Sequence, residues 1–345
     1  MKYHLYTTSK KAWDAIIKDI SRAQKSIYIE MYIFLDDTQE SHDFIGILKH
    51  KAQLGLKVAI IADAFGSYAI KKQTVSDLRQ AGVDFHFFSH FWRRTHRKIV
   101  LIDERLAYLG GVNIEKKILY WDDLQIKLGG KKTVKGVLRS FAQVYRACGG
   151  LDKNIIRYYN QSLIKKIKSL VLENLPGKSR RALGDYYRRQ VISAKRSIKL
   201  ITPYFIPPRW LMTLLDDAIR RNVEVKIIIP RDTDIRFINR INYYYAAKLQ
   251  PLGIKFFASP KMNHAKAMII DDEEGLIGSQ NLDLLSFNWN FEIGVFFRQK
   301  KTVKDLKAIF HRWEKRSIPF PNLEIKLNIL DKITAKLIRL FLSII

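Results

Sequence analysis

One pattern is written twice in this chain, and it constrains the fold more than any bulk property does. His96-x-Lys98-x4-Asp103 recurs as His264-x-Lys266-x4-Asp271. In each copy six residues lead from the Asp into a turn of small residues ending on Asn, Gly110-Gly111-Val112-Asn113 and Gly278-Ser279-Gln280-Asn281. A single spaced triplet is weak evidence. Two copies with the same extension imply a duplicated unit.

The duplication extends upstream of the motifs. Residues 12–24 read as a helix, 26–34 as an alternating strand, 43–54 as a helix stopped by Gly55, and 57–62 as a buried strand. A helix over 73–81 and a strand over 83–88 then precede the first motif. The second half repeats this order: helix 182–195, strand 197–202, helix 209–221, strand 223–229, helix 235–250 and strand 254–257. Ser26 corresponds to Ser197, Val58 to Val225 and His96 to His264. Strands alternating with helices predict an α/β sheet flanked by helices, used twice. The expected organisation is a first domain over 1–149, a basic connection over 150–183 containing Pro176-Gly177, and a second domain over 184–328. The two motifs then meet across a pseudo-twofold interface.

The residue types suit phosphoryl chemistry. A His and a Lys two apart project from one face of a strand. An imidazole with an ordinary pKa of about 6.5 serves as nucleophile when neutral and as acid when charged. Lys98 and Lys266 supply positive charge for phosphoryl oxygens, Asn113 and Asn281 supply neutral donors, and small Gly111 and Ser279 let the backbone approach a substrate phosphate. Two such half-sites make a phosphodiester-cleaving centre that needs no metal or other cofactor. One histidine attacks phosphorus to give a phosphohistidine, while the other protonates the leaving alkoxide and later deprotonates the incoming hydroxyl. Asp123 lies 27 residues after His96 and Glu292 lies 28 after His264. Both are placed to orient imidazoles through a ring nitrogen, with Asp122 the rival at the first position. Asp103 and Asp271 complete the motif at strand ends, where bracing of the turn is a more natural use for an anion than phosphate contact.

The chain resembles the phospholipase D superfamily, in particular its cardiolipin synthase-like branch, from about Ser26 to Trp313. Besides the motifs, the resemblance rests on Glu30-Met-Tyr32-Ile-Phe34, Gly66-Ser67, Thr202-Pro-Tyr204-Phe-Ile-Pro207, Asn281-Leu-Asp283 and Asn290-Phe-Glu292. It implies two tandem phospholipase D-like domains, each a mixed sheet flanked by helices, with His96 as the nucleophile. Leu285 and Asp122 stand where Arg is common in such enzymes, and no apolar hairpin precedes Ser26, so the resemblance is to a short form. The activity implied is transfer of a phosphatidyl group from one phosphatidylglycerol to another with release of glycerol. Phospholipase D hydrolysis and phosphatidylserine synthesis differ from it only in the acceptor.

Charge agrees with an anionic partner. Sixty-one Lys and Arg against 33 Asp and Glu give a formal +28, beyond what solubility requires. Residues 131–190 carry 15 Lys and Arg against Asp152, Glu173 and Asp185, a net of +12. An anionic membrane or a nucleic acid would each fit, and a nuclease would use the same two motifs. The segment 329–345 favours the membrane: Ile333, Leu337, Leu340, Phe341 and Ile344 form one helical face, and Lys332, Lys336 and Arg339 keep it cationic. The N-terminal residues lack a signal-peptide core, no stretch is long and apolar enough to span a bilayer, and Cys148 is the lone cysteine. The expected location is peripheral, at the cytoplasmic face of the membrane, with anionic phospholipid as partner and no obligate protein partner.

Overall fold

The computed structural model describes residues 2–159, 171–175, 180–323, 327, 331–334 and 337. Its first half holds seven strands: β1 Lys2–Thr8, β2 Ser26–Met31, β3 Lys57–Asp63, β4 Asp84–Phe88, β5 Lys98–Ile102, β6 Leu106–Gly110 and β7 Asp122–Gly129. They lie in the order β1-β7-β6-β5-β2-β3-β4. The second half supplies β8 Val171–Leu175, β9 Ser197–Ile201, β10 Glu224–Pro230, β11 Lys255–Ser259, β12 Ala267–Ile270, β13 Glu274–Gly278 and β14 Glu292–Phe297. Their order, β8-β14-β13-β12-β9-β10-β11, is that of the first sheet with each number raised by seven. Two-residue strands, Ile318–Pro319 beside β11 and Arg180–Arg181 beside β8, extend this second sheet.

The helices also repeat. In the first half they are α1 Ser9–Ser21, α2 Phe44–Gln53, α3 Lys72–Gln80 and α4 Lys131–Ala147, followed by a short α5, Lys153–Tyr159. Their second-half counterparts are α6 Ala182–Ser193, α7 Arg209–Arg220, α8 Arg236–Leu249 and, after a short α9 Leu284–Asn288, α10 Lys300–Arg316. The helix α1 starts where Thr8 Oγ1 accepts the amide of Lys11, and it buries Ala12, Trp13, Ile16 and Ile20 at helical spacing.

Strand alternation divides the core. On β5, Ile99 and Leu101 face a central cluster while Val100 and Ile102 face the outer one under α1 to α3. The central cluster also takes Ile269, Ile277 and Val295 from the second sheet, Val137 and Phe141 from α4, and Leu306 and Phe310 from α10. The two sheets thus share one apolar core. A third cluster lies beneath α6, α7 and α8 and includes Tyr243 and Tyr245. Two bridges join the halves, Thr95 to Phe291 and Asp122 to Asn263. Exchanging the halves converts one bridge into the other, as a pseudo-twofold requires.

The expected connection over 150–183 is more than a connection. It contains α5, and it contains β8, which pairs antiparallel with β14 as β1 pairs with β7. The second structural unit therefore begins at Val171, ahead of the expected boundary at 184. Most of the expected C-terminal helix, 329–345, lies outside the described residues; within it, 331–334 are helical and Arg240 Nε donates to Asp331 at 2.7 Å.

Candidate active site

The bridge between Thr95 and Phe291 determines which carboxylate meets which histidine. The amide of His96 donates to Phe291 O at 3.0 Å, and the amide of Phe291 donates to Arg94 O at 2.8 Å. The next side chains along the two segments are His96 and Glu292, and His96 Nδ1 lies 3.0 Å from Glu292 Oε1. The second bridge repeats the arrangement: His264 N donates to Asp122 O at 2.8 Å, and His264 Nδ1 lies 3.0 Å from Asp123 Oδ2. Each histidine is therefore oriented by a carboxylate from the other half.

This geometry selects the tautomer. His264 Nδ1 also lies 3.1 Å from Gly111 O, and since a carbonyl only accepts, Nδ1 carries the hydrogen. In both rings Nε2 is the nitrogen left for a substrate. His96 and His264 are 7% and 4% exposed, and both line one cavity of about 430 Å³ between the halves. Asn113, Asn281, Tyr32 and Tyr204 line it too, with Ile235, Phe237 and Leu285 as an apolar wall. Leu285 thus presents hydrocarbon to the cavity.

The buried charges act on one another. Burial, and then the charge of Lys98, lowers His96 to about 4 against the opposing pull of Glu292. Burial lowers His264 as well, again aided by its own lysine, Lys266. Lys98 falls to about 7 through burial, and Lys266 falls well below the ordinary lysine value for the same reason. Burial alone would raise the Glu292 carboxyl, but His96 and Lys98 outweigh it and hold Glu292 ionised. Lys98 Nζ donates to His96 O at 2.8 Å and Lys266 Nζ to His264 O at 2.5 Å, so each ammonium sits behind its histidine. An anionic substrate between the halves would offset the two lysines and raise all four pKa values.

Several expected site residues are placed elsewhere. Asp103 and Asp271 occupy hairpin turns with positive φ, 51° and 54°, each followed by a second positive φ, as a type I′ turn demands. Asp103 accepts the amides of Gln24, Lys25 and Ser26, the Lys25 bond at 2.7 Å, and Asp271 does the same for Lys195, Arg196 and Ser197. These carboxylates brace each hairpin to the start of the neighbouring strand and belong to no catalytic contact. Gly111 and Ser279 do not line the cavity. A Cβ on Gly111 would meet Asp123 Oδ1 at 2.1 Å, so glycine makes room for that carboxylate. Ser279 Oγ donates to Glu292 Oε2 instead of to a substrate phosphate. Asp122, the rival to Asp123, pairs with Arg316. Arg97, which stands between His96 and Lys98 in the sequence, is fully buried against Glu30, with Nη2 to Oε2 at 2.6 Å.

Glu115 and Asp234 line the cavity and went unnoticed in the sequence. Glu115 follows Asn113 by two residues as Asp283 follows Asn281, a repeated acid that marks it in the sequence, whereas Asp234 belongs to no repeated spacing.

Residues 16–145 and 187–313 match the protein family described as cardiolipin synthase, PLD-like domain. The cardiolipin synthase of Listeria welshimeri is 30% identical over 326 residues, covering 89% of this chain and 67% of that protein. That of Clostridium perfringens is 30% identical over 349 residues, covering 91% of this chain and 73% of the other. Among solved structures, phosphatidylserine synthase from Haemophilus influenzae superposes with a TM-score of 0.77 at 15% identity, covering 98% of this chain and 93% of that one. Polyphosphate kinase from Porphyromonas gingivalis gives 0.66 at 16% identity, covering all of this chain and 54% of its own. At such identities these two structures speak to the fold alone.

Proposed function

This chain belongs to the phospholipase D-like family of cardiolipin synthases, and on that premise we propose a phosphatidyltransferase whose two halves share one active site. The donor is phosphatidylglycerol and the acceptor is the hydroxyl of a second phosphatidylglycerol. The observation that carries this reading is the crossed pair of histidine–carboxylate contacts, both facing a single cavity.

In the first step neutral His96 Nε2 attacks phosphorus, the ester P–O bond breaks, and His264 gives its proton to the departing glycerol oxygen. Glu292 stabilises the charge that develops on the His96 ring, while Lys98 and Lys266 stabilise the phosphoryl oxygens. Asn113 and Asn281 flank the same space. In the second step neutral His264 removes a proton from the incoming hydroxyl, whose oxygen displaces His96 from phosphorus.

A peripheral site on the cytoplasmic membrane face, with anionic phospholipid as partner, is the second part of the proposal. The net charge of +28 supports it. So does exposed apolar surface near the cavity: Phe65 and the Phe91–Trp92 pair lie on loops after β3 and β4, and Phe237 of the cavity wall is 53% exposed. Asp63, at the end of β3, accepts the amide of Thr95, tying the first loop to the segment that carries His96. Ile333 and Leu337, from the expected apolar face of the C-terminal segment, are exposed as well. No helix among the described residues is long and apolar enough to cross a membrane.

The test is incubation of the purified chain with phosphatidylglycerol vesicles, read by lipid mass spectrometry. Cardiolipin and glycerol in equal amounts are expected. Phosphatidic acid without cardiolipin would make the protein a hydrolase. Loss of all vesicle binding at moderate salt, with His96-dependent cleavage of single-stranded DNA or RNA, would make it a nuclease.

A further inference from the structure

The cavity wall holds more hydrogen-bond acceptors than a phosphodiester can use. Asn281 is 4% exposed, its side chain bonds Asp283, and its buried Oδ1 has no partner. The Glu115 carboxylate, on the segment after Asn113, makes no hydrogen bond or ion pair among the described residues, although it lines the same cavity; only its backbone carbonyl accepts, from Ile118 N at 3.3 Å. Asp234, from the loop after β10, accepts Tyr204 Oη at 2.6 Å and Lys117 Nζ at 3.2 Å, which leaves further lone pairs on its two oxygens. A phosphate would be repelled by these oxygens. A group with several hydroxyl donors would satisfy them.

We propose that Glu115, Asp234 and Asn281 form the acceptor subsite, which binds a neutral polyol headgroup by accepting its hydroxyl hydrogens and rejects acceptors that carry a carboxylate. This assignment rests on the phosphatidyl-transfer reading and adds to it what selects the acceptor. The electrostatics agree: burial raises Glu115 to about 7, and Asp234 adds to that rise through its negative charge. A ligand that donates hydrogen bonds relieves this mutual repulsion, and an anionic one increases it. In the transfer step one hydroxyl gives its proton to His264 Nε2 and forms the new P–O bond as the bond from phosphorus to His96 breaks. The neighbouring hydroxyl donates to the subsite and holds the attacking oxygen in place. The glycerol that leaves in the first step has the same chemistry, so one subsite serves departure and entry.

The test uses a phosphatidyl-p-nitrophenol donor, with free glycerol or free serine as acceptor. Nitrophenolate release counts the phosphoenzyme formed, and lipid products report its division between acceptor and water. Glu115→Gln and Asp234→Asn, which lie on different segments, are each expected to lower the ratio of glycerol transfer to hydrolysis about tenfold, the scale of one lost hydrogen bond to a charged group. They should also raise the use of serine relative to glycerol. A purely structural role would scale transfer and hydrolysis together and leave both ratios unchanged, which would overturn the assignment. A wild type that releases nitrophenolate but passes nothing to glycerol would sink the transfer reading, and the subsite with it. A wild type that transfers, with variants that partition as it does, would sink the subsite alone.

Discussion

At one pair of equivalent positions the first half buries a salt bridge and the second half buries hydrocarbon. Glu30 pairs with Ile99 across β2 and β5, as Ile201 pairs with Ala267 across β9 and β12, and Arg97 corresponds to Ala265. Glu30 and Arg97 are each fully buried, and Arg97 also donates to Ser140 O at 3.2 Å. Ile201 and Ala265 sit in the same central core with no charge at all. The histidines, lysines, asparagines and turn aspartates, by contrast, are the same in both halves. These space-filling positions have diverged in chemistry, whereas the motif residues of the site and the aspartates that brace the hairpins have not. The orienting carboxylates fall between these cases. Short Asp123 is admitted by Gly111, and long Glu292 is held by Ser279, yet each reaches its histidine at 3.0 Å.

The strongest challenge to this picture of equal partners is to remove one histidine at a time. His96→Ala and His264→Ala should each lower turnover by at least about 10³-fold with unchanged thermal melting, because neither ring can be nucleophile and acid at once. A single variant near wild-type activity would mean that the halves work independently. The unequal positions give the next effect. Arg97→Ala leaves Glu30 charged and unpaired in the core, and denaturant unfolding should report a loss of about 3–5 kcal/mol. Glu30→Ile with Arg97→Ala, which copies the second half, should cost far less. If the double variant is as unstable as the single one, the two cores are not interchangeable.

The crossed carboxylates should matter somewhat less to catalysis, with Glu292→Gln and Asp123→Asn each lowering turnover about 10²-fold. A double-mutant cycle should find strong coupling between His96 and Glu292, and little between His96 and Asp123. A smaller effect concerns pH. Lys98 titrates near 7 when folded, against about 10.5 when unfolded, so the unfolded chain binds more protons between those values. Stability therefore rises with pH across that window, and this contribution is lost as pH falls through 7. Melting followed against pH should show a flatter slope for Lys98→Met, and for Lys266→Met if the halves are electrostatically alike, but not for the exposed Lys131→Met. The smallest expected effect is none: EDTA should leave activity unchanged, since the lysines of both halves already supply positive charge for the phosphoryl oxygens.

Much of this was legible in the chain. The repeated motif located both histidines, and the hydrophobic periods placed α1 to α3 and α6 to α8 within a few residues of their observed ends. The edge strands β1 and β8 escaped notice for a physical reason. Lys2–Thr8 is only partly buried, and Val171–Leu175 lies within a strongly basic stretch, so neither has the apolar contrast that marks a central strand. The crossing of the carboxylates was also hidden. Offsets of 27 and 28 residues are counted within a half, whereas the hydrogen bonds run between halves. Arg97 illustrates the converse, since its place between His96 and Lys98 suggests a phosphate ligand until strand alternation turns it into the core.

The central claim is that one covalent centre is built from both halves, with His96 as nucleophile and His264 as its acid and base. The direct measurement is peptide mapping of the trapped adduct in His264→Ala, supplied with the phosphatidyl-p-nitrophenol donor. Nitrophenolate leaves without help from an acid, so the first step should proceed and the second should stall for want of a base. The account predicts a stable phosphatidyl adduct on His96 in near-stoichiometric amount, and none in His96→Ala. An adduct on His264 in His96→Ala, or none on His96 in His264→Ala, would contradict it.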